Sequence, residues 1–150
     1  MYKRILVPID GSPTSRRALS EALRLARAGR ARLRILHVLD AFGLMVRMQG
    51  TPNPGRVYRA MQAEAARLIA RSIERARGSG VKAEGRVLEN FSQRVADLVV
   101  REAKAWRADL LVLGTHGRRG LARVVMGSDA EQVVRRASAP VLLVRAGTGR

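Results

Sequence analysis

Short aliphatic runs keep returning along the chain, and stretches with helical spacing separate them. Residues 3–9 (KRILVPI), 32–39 (RLRILHVL), 81–88, 109–114 (DLLVLG) and 141–145 (VLLVR) read as strands, the third weaker than the rest. Runs this continuously apolar suit a sheet covered on both faces rather than one with a wet side. Between them Leu19, Ala22, Leu23 and Ala26 recur at helical spacing, as do Met61, Ala65, Leu68, Ile69 and Ile73. Val95, Leu98, Val99 and Trp106 form a third such set, and Ala130, Val133, Val134 and Ala137 a fourth. Strand and helix alternate four times before a closing strand. That order requires a parallel sheet with right-handed crossovers. The expected fold is α/β: a single open five-stranded parallel sheet, doubly wound, with helices on both faces. At 150 residues it fits one domain, 1–150.

Punctuation sharpens the boundaries. Ser12 before Pro13 marks a helix start, and Gly29 its end. Residues 41–56, broken by Gly50, Pro52, Pro54 and Gly55, read as a mobile loop. Asn90 with Gln93 resembles a capping box for the following helix. The tail, 146–150, is expected to fray. Aromatic residues make up only 3%, so the core must be aliphatic. Cysteine is absent, which excludes disulfides and thiolate metal sites. No stretch approaches the roughly 20 apolar residues that span a bilayer, so no membrane partner is expected. Met1-Tyr-Lys-Arg runs straight into the first strand, too short for a signal peptide, and the cytoplasm is the expected compartment.

The formal charge is +17, and of 29 basic residues only Lys3, Lys82 and Lys104 are lysines. Such an excess attracts nucleic acid, anionic membrane or small anions. The arginines are scattered without a concentrated run, which reads as decoration of solvated helix faces. No helix-turn-helix or RNA-binding motif stands in the chain and stacking aromatics are scarce, which argues against nucleic acid as a partner.

In a doubly wound sheet, ligands sit beyond the carboxyl ends of the strands, where the winding reverses. The segments to inspect follow strand one (Asp10 to Pro13), strand two (near Val38) and strand four. The last reads Gly114-Thr-His-Gly117, nine residues, then Gly127-Ser128. Gly114 and Gly117 permit a tight turn and close approach of a ligand. Ser128 can cap the last helix, with Glu131 completing a capping box. The N–H groups and dipole of that helix make an anion site. Arg118, Arg119 and Arg123 can add charge-assisted bonds to phosphate. The spacing fits neither the P-loop nor the dinucleotide fingerprint. Taken alone, the loop indicates an anion at a helix N-terminus and does not specify ATP.

VPIDGS near the start, GTHGRRGLARVVMGSDAEQVVRRA, and PVLLVR near the end together resemble the universal stress protein family along the whole chain, least over residues 41–60. Gly114, Gly117, Gly127 and Ser128 match the G-x2-G-x9-G-[ST] pattern of its ATP-binding branch at every fixed position. The resemblance implies a Rossmann-like fold of the adenine nucleotide alpha hydrolase type. It implies that Asp10 and the backbone around Val38 hold the adenine and ribose. Gly114 and Gly117 would line the ribose and phosphate path, with Gly127 and Ser128 on the phosphates. The full candidate set is Pro8, Ile9, Asp10, Ser12, Val38, Gly114, Thr115, His116, Gly117, Arg118, Arg119, Met126, Gly127, Ser128 and Asp129. ATP, with Mg or Mn, is the implied ligand, and a homodimer through Val141–Arg145 the implied assembly.

Asp129 departs from the small apolar residue usual in similar relatives. It either favours the helix start through the dipole, or sits near phosphate, where Asp10 or Asp129 can share a divalent cation. Asp10 before Gly11 is also an ordinary turn former. His116 has no evident catalytic partner, and His37 reads as a strand residue near the pocket. No P-loop lysine or carboxylate pair is identifiable, so at most a weak ATPase is expected. Two further readings stand beside the ATP-binding regulatory module for stress tolerance. One is a dimeric interaction protein that binds no nucleotide; the other is a basic protein that binds nucleic acid or another polyanion through its surface.

Overall fold

A computed structural model describes residues 1–50, 52–115 and 126–145. In chain order the strands are β1 (Arg4–Pro8), β2 (Arg32–Asp40), β3 (Ala83–Asn90), β4 (Leu110–Gly114) and β5 (Val141–Val144). The helices are α1 (Pro13–Gly29), α2 (Ala41–Arg47), α3 (Pro54–Gly78), α4 (Val95–Ala105) and α5 (Ser128–Arg136). All pairings are parallel, in the order β3-β2-β1-β4-β5. The expected doubly wound α/β sheet is therefore the fold.

Successive residues of a strand point to opposite faces, and β1 shows the consequence. Ile5 and Val7 join Leu33, Ile35 and Val112 in a core covered by α1 and α3. Leu6 joins Leu36, Leu111 and Leu113 in a second core covered by α4 and α5. Ile5, Leu6 and Val7 are wholly buried, which explains why the strand reads as an unbroken apolar run. Small residues (Ala18, Ala22 and Ala26) let α1 lie close on the sheet. On β3, a Cβ at Gly85 would strike the side chains of Ile69 and Ile73, so glycine there admits α3.

Ser12 caps α1, its hydroxyl accepting from the Ser15 N–H at 3.2 Å, with Pro13 opening the helix. Three local readings are corrected. Within the expected loop 41–56, Asp40 accepts a hydrogen bond from the Gly43 N–H and starts α2, while Asn53 caps α3, which begins at Pro54. Proline fits the first helical turn, where its missing N–H has no helical partner. The Asn90–Gln93 pair does not cap α4. Asn90 ends β3, accepts from the Gln93 N–H at 2.9 Å and donates to the Gln93 carbonyl, and α4 starts after Arg94 without a side-chain cap. The expected end of α1 at Gly29 is observed, with Arg30 in the left-handed turn at φ +51°. Lastly, Ser128 is the first residue of α5 and Gly127 its cap position. Glu131, engaged by Arg135 at 3.0 Å, completes no capping box.

Candidate nucleotide site at the switch point

The sheet reverses direction between β1 and β4, because β1 leads outward through β2 to β3 while β4 leads to β5. In doubly wound folds the connections leaving the carboxyl ends of the strands at such a reversal run to opposite faces, and ligands sit in the crevice between them. The β1 loop is built by its own polar side chains. Asp10 Oδ1 accepts from the Ser12 N–H at 2.9 Å, and the Asp10 N–H donates to Ser15 Oγ at 3.3 Å. Ser15 Oγ in turn donates to the Ser12 carbonyl at 3.0 Å, and Gly11 turns the chain at φ +80°. Asp10 is thus a turn former by its bonding, and it stands half-buried at the site at the same time.

Ile9 ties this loop to β2. Its N–H donates to the Leu36 carbonyl at 2.7 Å, and its carbonyl lies 2.7 Å from His37 Nδ1. The buried His37 is therefore a brace for the loop. Pro8 ends β1, and Val38 lies half-buried on β2 opposite Leu88 of β3. Further along the same edge, Asn90 Nδ2 donates to Asp40 Oδ1 at 2.9 Å, joining the ends of β2 and β3. Sequence reasoning passed over Ser15 and Asp40, and took Asn90 only for a helix cap. Their signal was position: Asp40 and Asn90 are polar residues closing β2 and β3, and Ser15 stands in the first turn of α1.

On the β4 side, the Thr115 N–H donates to the Val144 carbonyl at 3.0 Å, and the Thr115 carbonyl accepts from the Gly127 N–H at 2.7 Å. That second bond returns the chain to the end of β4, so α5 starts beside the strand it followed. Met126 and Gly127 are half-buried, while Ser128 and Asp129 are exposed in the first turn of α5. His116, Gly117, Arg118, Arg119 and Arg123 lie outside the described residues. A Cβ on Gly114 would fall 2.9 Å from the Thr14 carbonyl carbon and 3.1 Å from the Ser15 nitrogen. Glycine at this position thus admits the close approach of α1.

Two helix N-termini, those of α1 and α5, therefore converge at one end of the sheet, with the Asp10 carboxylate in the β1 loop. Helix N-termini carry positive partial charge, so the site can hold an anion. Among the described residues no group of three or more His, Cys, Asp or Glu side chains could bind a metal by itself. No described helix is long and apolar enough to cross a membrane.

A parallel sheet wound in both directions from β1 and β4 defines the doubly wound class of α/β fold. The family model described as the universal stress protein family matches residues 1–145. The chain belongs to the universal stress protein family. A universal stress protein of Methanocaldococcus jannaschii is 32% identical over 97% of this chain and 83% of its own length. A family member from Burkholderia pseudomallei has a solved structure with 34% identity and a TM-score of 0.77, covering 97% of each chain. A universal stress protein solved in complex with cAMP is 27% identical, with a TM-score of 0.71, covering 97% of this chain and 98% of its own.

Proposed function

We propose that the chain binds an adenine nucleotide at the β1–β4 switch point, ATP with Mg or Mn, and acts as a cytoplasmic nucleotide-dependent regulator of stress tolerance. Hydrolysis is slow or absent in this reading. The observation that carries it is the joint placement of the Asp10–Ser15 turn and the Gly127–Ser128 helix start at the two strand ends flanking the reversal. The relative solved with cAMP supports an adenine nucleotide. Asp10 and the backbone near Val38 would receive the base and ribose, and Gly127 and Ser128 the phosphates. The residues present fit such a ligand in their chemistry: helix N-termini for phosphate, and the carboxylates of Asp10 after β1 and Asp129 in the first turn of α5 for a phosphate-bound cation.

Calorimetric titration with Mg-ATP at about 0.3 M salt, where exposed-charge attraction is largely screened, tests the site. One saturable site per chain is expected in the wild type and none in Gly127→Glu. The backbone at Gly127 (φ −59°, ψ 147°) suits any L-residue, so that variant should fold. A silent wild-type titration, or unchanged binding in the variant, would overturn the reading.

The same proposal includes a homodimer through the last strand. β5 is an edge strand whose Val141, Leu142, Leu143 and Val144 are all half-buried, an aliphatic edge that a second copy can cover. Sedimentation over a concentration series should show twice the 16.4 kDa chain mass; a monomer throughout would remove the dimer.

A further inference from the structure

The arginines that look scattered along the sequence gather in space. The amino-terminal end of the sheet, opposite the nucleotide site, carries two basic grooves flanking the last turns of α3. One, of about 460 Å³, runs between α1 and α3 and is lined by Arg24, Arg27 and Arg75 with no acidic residue. The other, of about 630 Å³, opens where β2 and β3 begin and is lined by Arg32, Arg77 and Lys82, with Glu84 its only acid.

Half of this charge is compensated locally. Arg24 pairs with Glu21 at 2.5 Å, Arg77 with Glu74 at 2.7 Å, and Arg32 with Glu84 at 3.8 Å. Arg27, Arg75 and Lys82 make no ion pair among the described residues, and Arg75 donates only to Ser20 Oγ at 2.6 Å. Cations left this way in a net charge of +17 raise a strong positive field over one end of the molecule.

We propose that this end docks double-stranded nucleic acid through its phosphate backbone, without reading sequence. The grooves are open and lack a buried polar group that would fix a single small anion, whereas a duplex presents a charge about every 1.7 Å along its axis. No aromatic side chain lines either groove, so the stacking that holds single strands is missing. An anionic membrane would want exposed apolar side chains beside the cations. Of the exposed large apolar residues, Met1 and Tyr2 stand at this end, ahead of β1, whereas Phe42, Met45, Val46 and Phe91 belong to α2 and the segment after β3, beyond the carboxyl ends of the strands; two such residues make no apolar face beside the cations. Phosphate contacts position a protein on a duplex without specifying bases, which agrees with the absence of a base-reading motif. Because the nucleotide site lies at the other end of the sheet, both ligands can be held at once.

The test is fluorescence anisotropy of a short labelled duplex of random sequence, titrated with the full chain over about 50 to 200 mM salt. Six cations engaged would give a log–log salt slope near −5, at about −0.9 per phosphate. The triple variant Arg27→Gln, Arg75→Gln, Lys82→Gln should bind about tenfold more weakly or worse and flatten that slope by about 3. A control with equal charge loss elsewhere, Arg59→Gln, Arg94→Gln, Arg101→Gln, should bind like the wild type. All six positions are exposed, and thermal melting checks that both triples fold. Equal weakening by both triples would reduce the effect to net charge and overturn the proposal. So would phosphatidylserine vesicles that displace the duplex at equal phosphate concentration through the same three residues.

Discussion

Glu102→Ala is expected to lower unfolding free energy by about 3 kcal/mol or more, the scale for breaking a buried ion pair from one side. Glu102 on α4 accepts from Arg34 Nη1 on β2 at 2.7 Å, the two side chains being 7% and 15% exposed. Removing the carboxylate leaves the guanidinium in a low-dielectric setting, where charge is strongly penalised. Partial compensation remains, because Glu84 Oε1 lies 3.1 Å from Arg34 Nη2 and the guanidinium lies 4.7 Å from the centre of the Trp106 ring. These contacts hold the expected loss near the lower end of the range. Arg34 Nε has no hydrogen-bond partner, so the pair is incompletely satisfied even when intact. A joint replacement, Glu102→Leu with Arg34→Met, should therefore recover most of the lost stability. Trp106 is the sole tryptophan and is 7% exposed beside this pair, so its fluorescence reports urea unfolding directly. An unchanged midpoint in Glu102→Ala would show that water or Glu84 already carries the Arg34 charge.

The second large effect is expected at Gly114. Valine there places a Cβ 2.9 Å from the Thr14 carbonyl carbon and 3.0 Å from its Cβ, and these neighbours are tied into the capped start of α1. Backbone cannot retreat as a flexible side chain can, so overpacking of about 1–3 kcal/mol follows. The push also moves the Asp10–Ser15 turn away from β4, so nucleotide binding should weaken together with stability. Alanine should give the same effects in milder form. Wild-type stability and Mg-ATP binding in Gly114→Val would mean that the α1 start yields freely. Gly127→Glu differs in kind: it should lose binding while keeping its unfolding midpoint. Comparing the two separates a glycine that packing requires from one that the proposed ligand requires.

The elements with a repeated physical signal were legible from the chain. β1, β2 and β4 are aliphatic because both faces are covered, and Ser12-Pro13 is a cap followed by a preset φ. β3 read weakly because it lies at the sheet edge with much of its surface exposed, so burial did not select its residues as strongly. α2 was missed for a related reason. Its seven residues bury only Ala41, and its start depends on an Asp40 bond that no hydrophobic period announces. Asn90 misled because its side chain offers the same acceptor to a helix start and to a turn; here it spans Gln93 and Asp40.

The sequence alone determined the class of fold, the strand ends at which a doubly wound sheet admits a ligand, and the glycine–serine pattern that resembles the family. Those properties are local or periodic, and each residue carries its share of the signal. Only the tertiary structure decided that Gly114 makes room for α1, that Arg34 finds Glu102 across 68 positions, and that dispersed cations meet around the end of α3. The physical reason is common to all three. Contacts between elements depend on which faces the crossovers bring together, and that geometry arises only when the helices dock on the sheet.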